Sequence, residues 1–472
     1  MKFFNRFFGP QDMTNGTIWR KIAAFSIPLL VGNLIQQLYN TVDAIVVGRY
    51  VGDEALAAVG TSFPLMFLLL VLFIGVATGT SIMVSQYFGA KEKALLSRTI
   101  GTAMVLNMLI SVLIMVLGPI FMRPLLVLIK TPEGVLEQCA DYLIIISIGI
   151  TGIAFYNGIS GILRGMGDSI MPLAFLTLTC VMNIFLDIWF VAGLGWGVAG
   201  AAWATVISQW FSSVLCLVRL MRKNDDYEMG LRLIRLDRDL CAKMTKLSLP
   251  AATTQIIFSL AGILVQNLTN TFGAGVMASI TIVMRVDAFA IMPMFSFGMA
   301  ISTFVGQNVG AGKLDRVTKG TRTGLLMAVS VTTAIVVALF FVGRPIMRVF
   351  TDTWSIIDLG YRMLCILIPG YIAFSATQIL FGVMRGAGDT VSSMWISIIT
   401  TVAIRTPLAY LLAYMTRSAE FPVGRPEIIV ISHMASWMTC LLLSVLVYRR
   451  GKWRTKSILK PHDRPMSLAA KG

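Results

Sequence analysis

Gly161-Ile-Leu-Arg164-Gly165-Met-Gly167-Asp168-Ser169 returns 221 residues later as Gly382-Val-Met-Arg385-Gly386-Ala-Gly388-Asp389-Thr390. At the same offset Gln86 with Gly89-Ala90 matches Gln307 with Gly310-Ala311, and with one residue of slippage Ser26-Ile-Pro28 matches Ser248-Leu-Pro250. Three matches in the same order mark two halves that are copies of one unit. The repeated turn reads in two ways. Its glycines allow positive φ while its aspartate caps the next helix, or Arg164/Asp168 and Arg385/Asp389 form ion pairs that gate the inner side. The tight turn is the simpler reading.

Around these motifs the chain has 472 residues, 56% hydrophobic and 13% charged, with a mean hydropathy of +0.79. Soluble domains carry about 25% charged residues, so a soluble fold is excluded. Runs long enough to cross about 30 Å of hydrocarbon recur at 20–44, 56–86, 99–123, 138–161, 170–192, 198–220, 247–272, 277–307, 322–344, 356–382, 392–415 and 427–448. In lipid such runs satisfy their backbone polar groups only as helices. The expected fold is an all-α integral membrane protein of twelve transmembrane helices in two six-helix bundles. Six is even, so both halves share one orientation and are related by a pseudo-two-fold along the membrane normal. Substrate would pass between the bundles, and rocking of one against the other would give alternating access. The domains expected are an N-terminal lobe over 1–220, a cytoplasmic amphipathic linker over 221–246, a C-terminal lobe over 247–448 and a basic cytoplasmic tail over 449–472. The first span follows a basic, aromatic leader (Lys2, Phe3, Phe4, Arg6, Phe7, Phe8) and is too long for a cleaved signal peptide.

A net charge of +16 would suggest nucleic acid in a soluble protein. Sorted along the spans, with residues near a span's end counted in the adjoining segment, it describes topology instead: of 39 Lys and Arg, 29 fall on the inner side, 8 on the outer side, and Arg285 and Arg405 deep within spans. This asymmetry places both termini in the cytoplasm. The linker, with Leu231-Arg232-Leu233-Ile234-Arg235-Leu236, alternates basic and apolar residues and is expected along the anionic inner leaflet. Nucleic acid is not expected as a partner; the lipid bilayer is. Six scattered cysteines and two histidines, His433 and His462, form no disulfide framework or zinc spacing. Gly306–Lys313 lacks the spacing and the Ser/Thr of a phosphate-binding loop.

Ionisable groups inside spans are functional candidates, because hydrocarbon makes each costly. Asp43 ends a polar stripe with Gln36, Tyr39 and Asn40 on the first span. Asn183 and Asp187 share a face of the fifth span at i,i+4, and Thr205 lies early in the sixth. Asp43 is about 35 Å along the helix from Arg20 and Asp187 about 27 Å from Ser169, at ~1.5 Å per residue. All four can therefore meet in the outer part of the N-terminal bundle. Two carboxylates, an amide oxygen and a hydroxyl suit an alkali cation such as Na⁺. They equally suit a proton, since two adjacent carboxylates in low dielectric cannot both carry charge cheaply. At the 221 offset Ile404 and Leu408 replace Asn183 and Asp187, so the set is not duplicated. The second half instead carries Arg285 and Asp287 on the eighth span, about 200° apart on an ideal helix, and Gln255, Gln266 and Asn270 on the seventh. These read as a polar wall of the cavity, with Asp287 the carboxylate suited to a cationic substrate and Arg285 its possible neutraliser. Methionines such as Met292 and Met294 suit a cavity accepting many shapes. Pro28 precedes Asp43 on one helix, where a protonation-linked bend is an attractive expectation.

These features together resemble the multidrug and toxic compound extrusion (MATE) family over essentially the whole chain. The resemblance rests on Val42-Asp43, Gln86…Gly89-Ala90, the paired RGxGD turns, and Asn183-Ile-Phe-Leu-Asp187 followed by Gly197-Val-Ala-Gly200-Ala-Ala-Trp-Ala-Thr205. It implies a bacterial inner-membrane exporter of cationic or amphipathic drugs driven by H⁺ or Na⁺, with no cofactor, acting as a monomer. In relatives, the matches to Asp43, Asn183, Asp187 and Thr205 form the N-lobe cation site, and those to Gln36, Tyr39 and Asn157 line its cavity. The match to Asp389 binds a cation in one branch, which also uses a glutamate on the seventh span; this sequence has none there.

The competing reading is a flippase for a lipid-linked precursor, which calls for a more cationic cavity than two intramembrane bases against three acids. An integral-membrane enzyme is not expected, for want of a triad or metal spacing. A major facilitator fold also has twelve spans, but Gln86-Tyr-Phe-Gly-Ala-Lys91-Glu-Lys93 lacks that superfamily's basic loop signature.

Overall fold

The computed structural model describes residues 11–129, 131–222, 226–228, 230 and 234–459. The leader from Lys2 to Phe8, Leu231 to Leu233 of the linker, and the tail from 460 onward, with His462, lie outside the described residues. Twelve helices are long and apolar enough to cross a membrane: α1 (Ile18–Tyr50), α2 (Glu54–Ala90), α3 (Lys93–Leu128), α4 (Glu133–Gly165), α5 (Ile170–Gly193), α6 (Gly197–Met221), α7 (Arg238–Asn270), α8 (Ala274–Gly310), α9 (Leu314–Arg348), α10 (Trp354–Gly386), α11 (Thr390–Met415) and α12 (Ile428–Arg449). No β-strand occurs among the described residues. Every expected span is a helix, and most helices run past it. Arg49 and Arg98 lie beyond their apolar runs yet within a helix, because arginine is a good helix former. At 33 residues α1 is about 50 Å long, well beyond the hydrocarbon.

The chain forms two compact units. One holds Ile27–Ala252 with the described residues 11–13 and 458–459; the other holds Thr14–Ser26 and Thr253–Ser457. Both α1 and α7 change unit within three residues of a proline, Pro28 and Pro250. In the first unit Phe73, Leu126, Ile146 and Ile150 are fully buried in one apolar cluster, and Met83, Ile100 and Met244 in a second. Val283, Met294, Leu367 and Tyr371 occupy the same role in the second unit. All six cysteines are free.

The repeated motif does two jobs, and does them alike in both units. Its first glycines seat one helix directly on another: a Cβ on Gly161 would meet the Ala77 carbonyl, and one on Gly165 the Ser81 carbonyl, closing α4 on α2. Gly382 and Gly386 face the Gly298 and Ser302 carbonyls, closing α10 on α8. Its last glycine makes the turn: Gly167 and Gly388 have φ of 91° and 96°. In both copies the turn is closed by matching backbone bonds, Asp168 N–H to Leu163 O and Asp389 N–H to Met384 O, at 2.9 and 2.8 Å. Asp168 then accepts from the Met171 N–H at 3.0 Å, and Asp389 from the Ser392 N–H at 3.3 Å. The turn-and-cap reading therefore holds. The gating pairs do not form: Asp168 faces Arg219 at 3.5 Å, and Arg385 donates to the Phe381 carbonyl of its own helix. Burial pushes the Asp168 carboxyl up, against the Met171 N–H and the Arg219 charge.

The described part of the linker is pinned to α3. Arg98 pairs with Asp237, the Glu228 N–H donates to Ser97 Oγ at 2.9 Å, and Tyr227 is buried with its hydroxyl on the Leu220 carbonyl. Ile234 and Leu236 remain exposed.

Two helices contain π segments, Ile188–Gly193 at the end of α5 and Ile399–Arg405 within α11. The second is followed at once by Pro407, whose missing N–H and bulky ring disrupt an α-helical ladder. A wide turn re-aims the side chains beside it. Asp187 borders the first π segment and Arg405 ends the second.

Substituting Gly161→Val or Gly382→Val should wedge apart helices whose obstacle is backbone, costing about 1–3 kcal/mol or more and lowering the unfolding temperature in detergent. Gly60→Ala, where a Cβ meets nothing within 4 Å, should stabilise α2 by about 0.5–1 kcal/mol.

Candidate functional site

In the first unit α1, α4, α5 and α6 carry a set of buried polar side chains. Asn183 and Asp187 are fully buried, Asp43 7% exposed, Tyr39 6% and Thr205 4%. The Tyr39 hydroxyl donates to Thr205 Oγ1 at 3.0 Å, tying α1 to α6. The Asp43 and Asp187 carboxyls are neighbours that act on each other directly. Five buried polar atoms nevertheless have no hydrogen-bond partner: Asp43 Oδ1, both carboxyl oxygens of Asp187, and both amide atoms of Asn183. Native interiors leave few such atoms, and each costs about 1–3 kcal/mol. None of the charged groups acting on the two carboxyls is basic. Two acids with open lone pairs, an amide oxygen and a hydroxyl are hard oxygen donors, the chemistry that suits a proton or a small hard cation.

One member escaped the sequence reading. Tyr142 on α4 lies in the field of both Asp43 and Asp187, and its hydroxyl reaches only the Met66 sulfur, at 3.8 Å. Its hydroxyl is one of five on α4, with Ser147, Thr151, Tyr156 and Ser160, and nothing in the sequence sets it apart from them. Gln209, buried with Oε1 unpartnered, lies one turn beyond Thr205 and was accessible from i,i+4 spacing.

The other candidates are more open. Gln36 is half-buried and donates to exposed Asn40 at 3.5 Å. Asn157 is half-buried and donates to the Ile153 carbonyl at 2.9 Å. In the second unit Gln255 is half-buried, while exposed Gln266 donates to exposed Asn270 at 2.9 Å. Arg285 is exposed and Asp287 buried, in keeping with their angular separation. The groups beside Asp287 are the Tyr371 hydroxyl and the Arg405 guanidinium, not Arg285. Asp389, expected as a cation ligand in one branch of relatives, caps α11 and accepts from Ser392 Oγ at 2.7 Å. No group of three or more His, Cys, Asp or Glu suited to a metal occurs among the described residues.

Twelve apolar helices and an internal repeat define a polytopic membrane protein built from two copies of one unit. The MatE family model matches twice, over residues 28–189 and 250–411, once in each half of the repeat. The chain belongs to that family, the multidrug and toxic compound extrusion transporters. It is 29% identical to "Probable multidrug resistance protein YoeA" of Bacillus subtilis, over 95% of this chain and 97% of that protein. It is 26% identical to "Probable multidrug resistance protein YpnP" of the same organism, over 95% and 98%. Its fold matches a crystal structure of MATE in the bent conformation with a TM-score of 0.86 at 24% identity, covering 95% of this chain and 98% of that one.

Tyr39→Phe and Thr205→Val should each destabilise the protein by about 0.5–1.5 kcal/mol. The double variant should cost little more than either alone, because both remove one bond. Thermal unfolding of the four proteins in detergent measures this.

Proposed function

We propose that the protein is a secondary active antiporter, exporting cationic or amphipathic compounds in exchange for H⁺ or Na⁺ by alternating access. The observation that carries this reading is the Asp43–Asn183–Asp187 set, five buried polar atoms without partners and two carboxyls without a base. A permanent structural role would close these atoms on one another. A coupling site must instead be completed by an ion and then release it. One proton or one Na⁺ relieves the repulsion between the two carboxyls, with Thr205 and the Asn183 oxygen completing the oxygen set for Na⁺. Loss of that ion restores the repulsion, and a cationic compound then gains from the same negative field.

The remaining assignments follow from this role. Gln36, Tyr39, Asn40 and Asn157 line the approach to the ion site, and Gln255, Gln266, Asn270, Arg285 and Asp287 present polar groups from the second half. The lobes run over 1–220 and 247–448, joined by the 221–246 linker, with the 449–472 tail cytoplasmic like the N-terminus. The 29 basic residues of the inner segments favour that orientation in a bacterial inner membrane. The protein acts as a monomer, without a cofactor or enzymatic chemistry. A lipid-linked-precursor flippase is the weaker reading, since an anionic headgroup finds two acids at the N-lobe site.

Efflux of ethidium from proteoliposomes under separately imposed H⁺ and Na⁺ gradients tests the proposal. One gradient should drive uphill movement; movement indifferent to both gradients would defeat antiport. Asp43→Asn and Asp187→Asn should each reduce coupled efflux by about tenfold or more, the loss expected when one charged ligand is removed. Full coupling in both variants would remove the N-lobe site from the mechanism.

A further inference from the structure

The turn from α3 into α4 and the turn from α9 into α10 are copies of one hairpin. Arg123-Pro124 and Arg344-Pro345 stand at the 221 offset, and so do the counter-ions Glu137 and Asp358. The ion pair is kept in both copies, Arg123 to Glu137 at 2.6 Å and Arg344 to Asp358 at 3.1 Å. An exposed apolar rim is kept as well, with Ile120 and Leu128 in the first copy and Phe341 and Val349 in the second. On this shared frame the second copy carries Arg348, Trp354 and Tyr361 where the first has Val127, Glu133 and Ala140.

The three replacements act together. Arg344 and Arg348 are one turn apart on α9 and share a face, where like charges oppose one another. Each guanidinium lies over a ring of α10, Arg344 at 4.5 Å from the Tyr361 centroid and Arg348 at 4.3 Å from that of Trp354. Tyr361 is itself fixed, its hydroxyl donating to the Phe340 carbonyl at 2.8 Å. The counter-charge has not been doubled with the arginines. Asp358 also serves Arg362 at 3.4 Å, and Arg362 reaches Glu427 at 3.4 Å. Arg348 forms no ion pair among the described residues, and the exposed Asp352 nearby does not close on it.

The C-terminus of α9 by itself favours a cation, but that does not call for two rings fixing two arginines. A guanidinium over a ring keeps N–H donors at its edge for a phosphate. Both arginines lie at the end of the α9 apolar run, the level at which lipid headgroups begin. Phe341, two turns before Arg348 on the same helix, is 76% exposed and offers apolar surface on the hydrocarbon side. A phosphate with acyl chains meets both features. A zwitterionic headgroup would bring its own cation against the arginines.

We propose that the α9–α10 turn of the second unit binds one anionic phospholipid, its phosphate between Arg344 and Arg348 and its acyl chains along Phe341. The matching turn of the first unit, whose single arginine is already paired, lacks this site.

Trp354 reports on the site directly. The full chain is reconstituted in vesicles containing phosphatidylglycerol or phosphatidylcholine brominated on the acyl chains. The Trp354 signal is the difference between the unmodified protein and Trp354→Phe. Its quenching should show phosphatidylglycerol binding about fivefold tighter, the worth of one arginine at a membrane surface. Arg348→Gln should bring the two lipids level, Arg348→Lys should keep part of the preference, and Arg123→Gln in the first-unit turn should leave it intact. Equal quenching by the two lipids in the unmodified protein overturns the proposal, and so does a folded Arg348→Gln protein, checked by thermal unfolding, that keeps the full preference. Relief of quenching by inorganic phosphate, but not by chloride at equal ionic strength, would assign the site to a free anion and overturn the lipid.

Discussion

A peptide N–H or C=O left without a partner in hydrocarbon costs several kcal/mol, and most of this molecule follows from that cost. It makes every apolar run a helix, and Arg49 and Arg98 carry two of those helices past their apolar runs. It also removes the usual reason for helices to associate, since lipid is as apolar as leucine; close packing must replace it. The glycines of the repeated motif supply that packing. Gly161 and Gly165 lay α4 against carbonyls of α2, and Gly382 and Gly386 lay α10 against carbonyls of α8. The same short sequence then turns the chain through Gly167 and Gly388 and caps the next helix with Asp168 and Asp389. Duplication has kept this element nearly unchanged because both its uses leave no room for a side chain.

The same cost gives meaning to the polar atoms that remain unpartnered. The two units spend that cost differently. In the first, α5 contributes Asn183 and Asp187 beside Asp43, all acids and amide. In the second, Ile404 and Leu408 occupy the corresponding places, and the charged pair is Asp287 with Arg405. The π segments follow this divergence: one begins directly after Asp187, the other ends on Arg405. In each unit a π segment, a locally widened stretch of helix, adjoins a charged side chain. A common scaffold thus carries an acidic set of buried groups in one copy and a charge-balanced set in the other.

Much of this was readable from the residues. The spans and the repeat follow from hydropathy and offset, and the nearness of Asp43 to Asp187 from helix rise. Those properties are local, or linear along one helix. Partners across helices were not readable in the same way. Arg285 stands two residues from Asp287 and looked like its counter-ion, yet the base that acts on Asp287 is Arg405, 118 positions away. Asp168 likewise faces Arg219 rather than Arg164, four positions back. Tyr142 and Tyr371 carried no pattern of their own, and only packing places their hydroxyls beside carboxyls.

The sequence by itself therefore determined the number of crossings, the duplicated architecture, and the burial of Asp43, Asp187 and Asp287, because hydrophobicity and periodicity act through neighbours in the chain. It also set the turn, since glycine and aspartate impose their conformations within a few residues. Only the tertiary structure decided which buried charge meets which. That depends on helix rotation and on where a helix widens, and rotation is set by the close contacts of Gly161, Gly165, Gly382 and Gly386 with helices far away in sequence.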